Sequence, residues 1–285
     1  MTRQTGVWPG VLATLALLAG CASDPGKGLE TANPRREGER VDAKPAPAEV
    51  AGGVEPEVAA PEIADEDRQK RDEAVRRYNE GALAERQGRH KDAFDHYNAA
   101  VKHWPRYAPA HVGIGNLFLM RQRYAEAEQA YRTALKTDPR NPTAHNNLAW
   151  LFVVTKTDLP KGVELARKGV DLTQALLQQA MSGARLEEAG RLRGELAECW
   201  STLAWCYFHL GDHLAAAMAW DSALGQLASN QKAQKATYLY RMALSLSMQG
   251  EASRARQSIQ QARALGPDEG MRGKLDALEA SLQGQ

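Results

Sequence analysis

The chain has 285 residues, of which 43% are hydrophobic and 25% charged, with a formal net charge of +1. That is the composition of one or two globular domains, and it excludes both a disordered polyelectrolyte and the strongly basic surface of a nucleic-acid binder. The charge is uneven: residues 22–66 hold 11 acidic and 5 basic residues, whereas residues 67–285 hold 24 acidic and 30 basic, a mild excess of +6 that leaves room for an acidic partner.

The first segment, 1–20, has the build of an export signal. Arg3 supplies the positive end, Val11 to Ala19 a short apolar stretch, and Gly20 a small residue at the cut site. The stretch is too short to span a bilayer as a mature helix. It closes on Leu18-Ala19-Gly20-Cys21, which resembles the lipobox of bacterial lipoproteins. The resemblance implies diacylglycerol on the Cys21 sulfur, cleavage just before it, and a membrane anchor made of lipid rather than of a helix. Ala22 and Ser23 follow where inner-membrane lipoproteins often carry Asp, so the implied address is the outer membrane, facing the periplasm. The alternative is an ordinary secretion signal with a chance cysteine.

From residue 21 to 66 no apolar period appears. Six prolines (Pro25, Pro34, Pro45, Pro47, Pro56, Pro61) are scattered among Ala, Glu, Gly and Val. Such a stretch cannot bury enough surface to offset its ordering entropy, and it reads as a disordered linker with a reach of roughly 40 Å.

Residues 67–285 form the folded domain. Gly81 and Gly115 are 34 apart, and so are Ala93 and Ala127, Tyr97 and Tyr131, Ala100 and Ala134, and Pro105 and Pro139. A period of 34 with small residues at positions 8, 20 and 27, large ones at 4, 7, 11 and 24, and Pro at 32 resembles the tetratricopeptide repeat, a helix-turn-helix unit. The small residues let two helices approach closely, the aromatic ones fill the gaps, and the proline stops the second helix. Repeats fall at 74–107, 108–141, 142–175, 197–230 and 236–269. The third gains a residue in its loop near Asp158-Leu159-Pro160. A last helix, about 268–283, puts Met271, Leu275, Leu278 and Leu282 on one face and caps the stack. The fold class is therefore all-α: by resemblance, a right-handed superhelical solenoid of about five repeats.

Repeat three hands over late, leaving about 20 extra residues. Leu172, Leu176, Leu177 and Met181 continue one apolar face; Leu186, Leu192 and Leu196 start the next. This predicts an extended helical hairpin on either side of Ser182-Gly183, projecting roughly 15 Å beyond the body; the alternative is a partly disordered insert. Gly190 and Gly194, one turn apart on the returning helix, are expected to allow close approach to its partner. Cys199 and Cys206 sit seven apart on one helix, about 10.5 Å between Cα atoms, too far for a disulfide limit of about 7 Å. Both read as small buried hydrophobes.

No catalytic constellation emerges. Ser182-Gly183 lacks the flanking glycine of a nucleophile elbow, and there is no phosphate-cradling loop or CxxC pair. The expectation is a protein that is not an enzyme and takes no cofactor. His209 and His213 are four apart, but Gly211-Asp212 between them marks a turn, so no metal site is expected there. His111 and His145 both occupy position 4 and read as subsurface packing residues.

The resemblance places positions 2, 5, 6, 9, 12 and 13 of each repeat on a concave groove. Asn116, Leu119, Asn146, Asn147, Trp150, Val153, Trp205, Phe208 and Tyr240 are the resulting candidates for partner contact, with Tyr78, Thr202, His209, Arg241 and Met248 also on that face. The Lys/Arg/Asn set with which chaperone-type repeats clamp a terminal carboxylate is absent: Tyr78, Gly113 and Thr143 stand at parts of it. Asn offers donor and acceptor to a peptide backbone, and Trp or Phe a flat apolar face. The expected partner is a protein of the cell envelope, with the membrane reached only through the lipid and no nucleic acid or small-molecule substrate. A glycan-binding accessory to a cell-wall enzyme or polysaccharide exporter is the alternative. Burial of the groove aromatics under the chain's own hairpin or last helix would remove the site.

Overall fold

The computed structural model describes residues 65–282, so the signal, Cys21 and most of the linker lie outside the described residues. Eleven α-helices, and no strands, occupy that span. They are α1 (Asp65–Arg86), α2 (His90–His103), α3 (Ala108–Met120), α4 (Tyr124–Thr137), α5 (Pro142–Thr155), α6 (Leu159–Ser182), α7 (Leu186–His209), α8 (His213–Gln226), α9 (Lys232–Met248), α10 (Ala252–Ala264) and α11 (Glu269–Ser281). Each odd-numbered helix from α1 to α9 packs against the next, and α11 closes the stack against α9 and α10. None of these helices is long and apolar enough to cross a membrane.

Local chemistry sets the helix starts. Asn141, Asp212 and Asp268 cap α5, α8 and α11, accepting from the backbone N–H of Ala144 at 2.9 Å, Ala215 at 3.0 Å and Met271 at 2.7 Å. Pro142 pre-sets the first turn of α5. His111 and His145, equivalent residues one repeat apart, bond through Nε2 to the carbonyl oxygens of Pro105 at 2.9 Å and Pro139 at 3.0 Å. With Nε2 donating, each ties the start of one repeat to the exit of the previous one, a structural duty for position 4.

Packing follows the 34-residue rule. The residues at positions 8, 20 and 27 of all five repeats are Gly or Ala and all are buried, including Ala93, Ala134, Ala204, Ala223, Ala243 and Ala262 with no exposed surface. The glycines are needed for space. A Cβ on Gly81 would stand 2.7 Å from the Tyr97 ring, one on Gly113 2.6 Å from the same ring, and one on Gly115 2.5 Å from the Tyr131 ring. Tyr97 and Tyr131 thus lie flat against α1 and α3 because no side chain intervenes.

The insertion is the expected hairpin, α6 and α7 at 24 residues each. It has a core of its own, in which Val170, Leu177 and Ala180 meet Ala189, Leu192 and Leu196. One expectation is corrected. Gly190 and Gly194 do not mediate the close approach, since a Cβ on either would meet nothing within 4 Å. Spacing fixed their register but not their face, and the small residues buried in the hairpin core are Ala180 and Ala189. The left-handed residue of the turn is Ala184 (φ 54°), one past Gly183, whose φ is −83°. Helix α1 begins two residues inside the span read as linker, opening with Asp65, Glu66 and Asp67 where a helix N-terminus favours negative charge. Leu275 and Leu282 of the last helix are fully buried, as its apolar face requires.

Candidate functional site

In the first two repeats the concave wall is built by side chains that reach through from the second helix. The Tyr97 hydroxyl donates to Glu85 Oε2 at 2.6 Å, and the Tyr131 hydroxyl donates to Asn116 Oδ1 at 2.8 Å. Asn147 Nδ2 donates to the same Asn116 oxygen at 2.8 Å, and Asn146 Nδ2 makes a long contact of 3.5 Å to Asn147 Oδ1. A polar ladder therefore crosses from α4 through α3 to α5. It ends in an open rung: Asn146 Oδ1 has no partner, and neither has Trp150 Nε1 one turn further along α5.

Of the expected contact residues, Asn116, Trp150, Trp205, Phe208 and Tyr240 are half-buried. Leu119, Asn147 and Val153 retain 3–4% of their surface and Asn146 retains 8%. These four hold the wall together and are not offered to a partner. Neighbouring first helices close over positions 5 and 6, and position 12 turns into the core in repeats two and three. Asn147 spends its amide on Asn116, so the reading of both asparagines as hydrogen-bonding groups for a partner backbone does not hold for it.

The open part of the face lies further along the stack, where α7, α8 and α9 meet. The Trp205 ring stacks on His209 with centroids 5.7 Å apart and stands edge-to-face with Phe208 at 5.5 Å and Trp220 at 5.6 Å. His213 stands beyond the turn, its ring 5.2 Å from that of Phe208. Burial lowers the pKa of both histidines. Among the described residues no three His, Cys, Asp or Glu side chains gather with the spacing of a metal site. Arg241, from α9, places its guanidinium carbon 5.2 Å from the centroids of both Trp205 and Trp220 and 6.0 Å from that of Tyr238. Glu198 Oε1 accepts from Tyr238 at 3.1 Å and from Gln234 Nε2 at 3.0 Å.

Carboxylates line the same face. Burial raises the pKa of Glu85, Glu195 and Glu198; hydrogen bonding from Tyr97, the charge of Arg191 and hydrogen bonding from Tyr238, respectively, oppose it. Burial first, then the neighbouring Tyr107 and the charges of Glu85 and Glu195, push the Tyr78 hydroxyl up to about 12, against Arg191. The α7 extension therefore comes within electrostatic reach of α1. Cys199 and Cys206 are free, buried thiols pushed up to about 12 by that burial.

These features define a solenoid of helix-turn-helix units with one concave, aromatic-lined face. The units resemble tetratricopeptide repeats, and the model of that repeat matches residues 78–142 and 112–173. Solved structures share the fold. PilF of Pseudomonas aeruginosa superimposes with a TM-score of 0.56 at 16% identity, over 75% of this chain and 90% of that one. YrrB, described as a repeat protein with an unusual peptide-binding site, gives 0.52 at 16% identity over 77% and 98%. The assembly chaperone of RpL4 gives 0.57 at 15% identity over 73% and 84%. At these identities the likeness concerns the fold alone. No curated protein matches the sequence.

Arg241 was legible as a groove position but not as the centre of an aromatic cluster. Its neighbours Trp220 and Tyr238 sit 21 and 3 residues away in sequence, and no periodicity predicts that they share one cation.

Proposed function

We propose that the protein is a lipid-anchored scaffold of the bacterial cell envelope that binds another protein along the concave face of its repeats. Cys21 carries the lipid, the segment to about residue 64 is the tether, and the outer membrane is the address. The observation that carries the binding reading is the half-buried row Trp205, Phe208 and His209, whose rings pack on one another. Aromatic anchors of this kind supply large contact area at low entropic cost, and an extended segment suits a curved helical groove. The peptide-binding site described for YrrB, on the same fold, supports the reading by analogy. The function is assembly or positioning of a partner complex rather than catalysis.

The test is photocrosslinking in intact cells from position 209, followed by mass spectrometry. A discrete envelope protein is expected to crosslink, and Trp205→Ala to abolish it. If Trp205→Ala leaves the crosslink intact while deletion of 178–192 removes it, the hairpin and not the groove is the contact. Recovery of purified cell wall in place of protein selects the glycan-binding alternative. Labelled palmitate on the wild type and its absence from Cys21→Ser test the anchor separately.

A further inference from the structure

Arg241 is a desolvated cation with no carboxylate among the described residues in direct ion-pair contact. It is half-buried on the concave side of α9, and among the described residues no carboxylate lies within ion-pairing distance of it and no acceptor hydrogen-bonds to it. Burial is the first cause of its lowered pKa, only partly opposed by nearby groups including Glu198. Glu198 acts on Arg241 through its charge but makes no direct ion pair with it, and its Oε1 accepts from Tyr238 and Gln234. A protein seldom buries a charge this far without pairing it.

The surroundings fit a waiting receptor. Trp205 and Trp220, with ring planes 89° apart and centroids 5.6 Å apart, form a corner against which the guanidinium rests, 5.2 Å from each. Because the rings are perpendicular, at most one can lie parallel to the planar group, and the N–H donors lie in the group's own plane, at its edge. An immobilised guanidinium edge matches a carboxylate in two-point geometry and loses little entropy on binding. Residues 65–282 carry 30 basic and 26 acidic side chains, so the folded part also favours an acidic visitor at long range.

We infer that the Arg241 guanidinium, resting in the corner formed by Trp205 and Trp220, receives an acidic side chain, Asp or Glu, from within the partner's bound segment. The inference rests on the groove reading above and adds the partner's chemistry to it. It differs from capture of a chain terminus, for which the clamp residues are absent.

The test selects binders for the full chain from a displayed library of random, C-terminally amidated peptides. The selected peptides are then measured against wild type, Arg241→Gln, Arg241→Lys and Trp205→Ala. Enrichment of Asp or Glu is expected at one position. Changing that residue to Asn or Gln in the peptide should weaken binding to the wild-type protein about 10- to 100-fold, the size of a lost charge-assisted hydrogen bond. Arg241→Gln should cause a similar loss, and Arg241→Lys a smaller one. The peptide substitution reads the contact without altering the protein, so a poorly folded variant does not blunt the test. Peptides that need Trp205 but carry no acidic position, or that ignore both Arg241 variants, overturn the inference and leave the groove reading standing. Peptides insensitive to Trp205→Ala, or none at all, overturn both.

Discussion

Alanine substituted for glycine should change stability in opposite directions at two helical positions of this protein. In a helix interior the exchange is intrinsically favourable by about 1 kcal/mol. At Gly194 nothing lies within 4 Å of the added Cβ, so the full gain should appear. At Gly115 the Cβ would lie 2.5, 2.7 and 3.0 Å from three atoms of the Tyr131 ring, which has no exposed surface and whose hydroxyl is tied to Asn116 at 2.8 Å. The ring must retreat by about an ångström. Overpacking costs about 1–3 kcal/mol and the disturbed hydrogen bond about 1 more, so the net effect is a loss of about 1–3 kcal/mol. For a domain of this size each kcal/mol moves the melting temperature by about 2–4 °C. Thermal unfolding followed by circular dichroism should show Gly194→Ala melting above wild type and Gly115→Ala below it. Combining Gly115→Ala with Tyr131→Leu should cost less than the two singles together, because they share one contact. Gly115→Ala melting at or above wild type would refute the claim that the ring lies on the bare backbone.

Ala184 and Gln122 hold left-handed conformations that favour glycine, so Ala184→Gly and Gln122→Gly should each stabilise by roughly 1 kcal/mol in urea titrations, and a loss at either would show that its side chain is needed. Glu85→Gln should stabilise at pH 7 and not at pH 4. The folded-state pKa of Glu85 is raised, so its contribution is fully present below the unfolded value and lost as pH rises through the folded one; a pH-independent difference would contradict this. His209 and His213 have lowered folded values, so their share of stability disappears as pH falls below about 6.5, and His209→Gln should flatten that limb. In a Cys21→Ser protein both remaining thiols should resist iodoacetamide at pH 8 and react fully in urea; rapid native alkylation would show that the α6–α7 core opens.

The repeats were legible because their signal is redundant. Small residues at three positions recur every 34, and each of them is buried for the same reason, helix against helix. The hairpin was legible from its continuous apolar period. What sequence could not fix was facing and encounter. Gly190 and Gly194 have contact spacing, yet point into open space. Asn146 and Asn147 occupy groove positions by family average, yet neighbouring helices close over them. Gly183 is the residue with left-handed freedom, but the chain takes that turn at Ala184. The Arg241 cluster depends on three helices meeting through space, which a one-dimensional pattern does not encode.

The private core of α6 and α7 has a consequence for how the molecule comes apart. Linear arrays of this kind tend to fray from the ends, each unit leaning only on its neighbours. Here the longest pair of helices sits in the middle and joins the first three units to the last two. It acts as a clasp, so loss of the outermost helices should leave a folded centre behind, and an opening that begins at the clasp should release both halves at once.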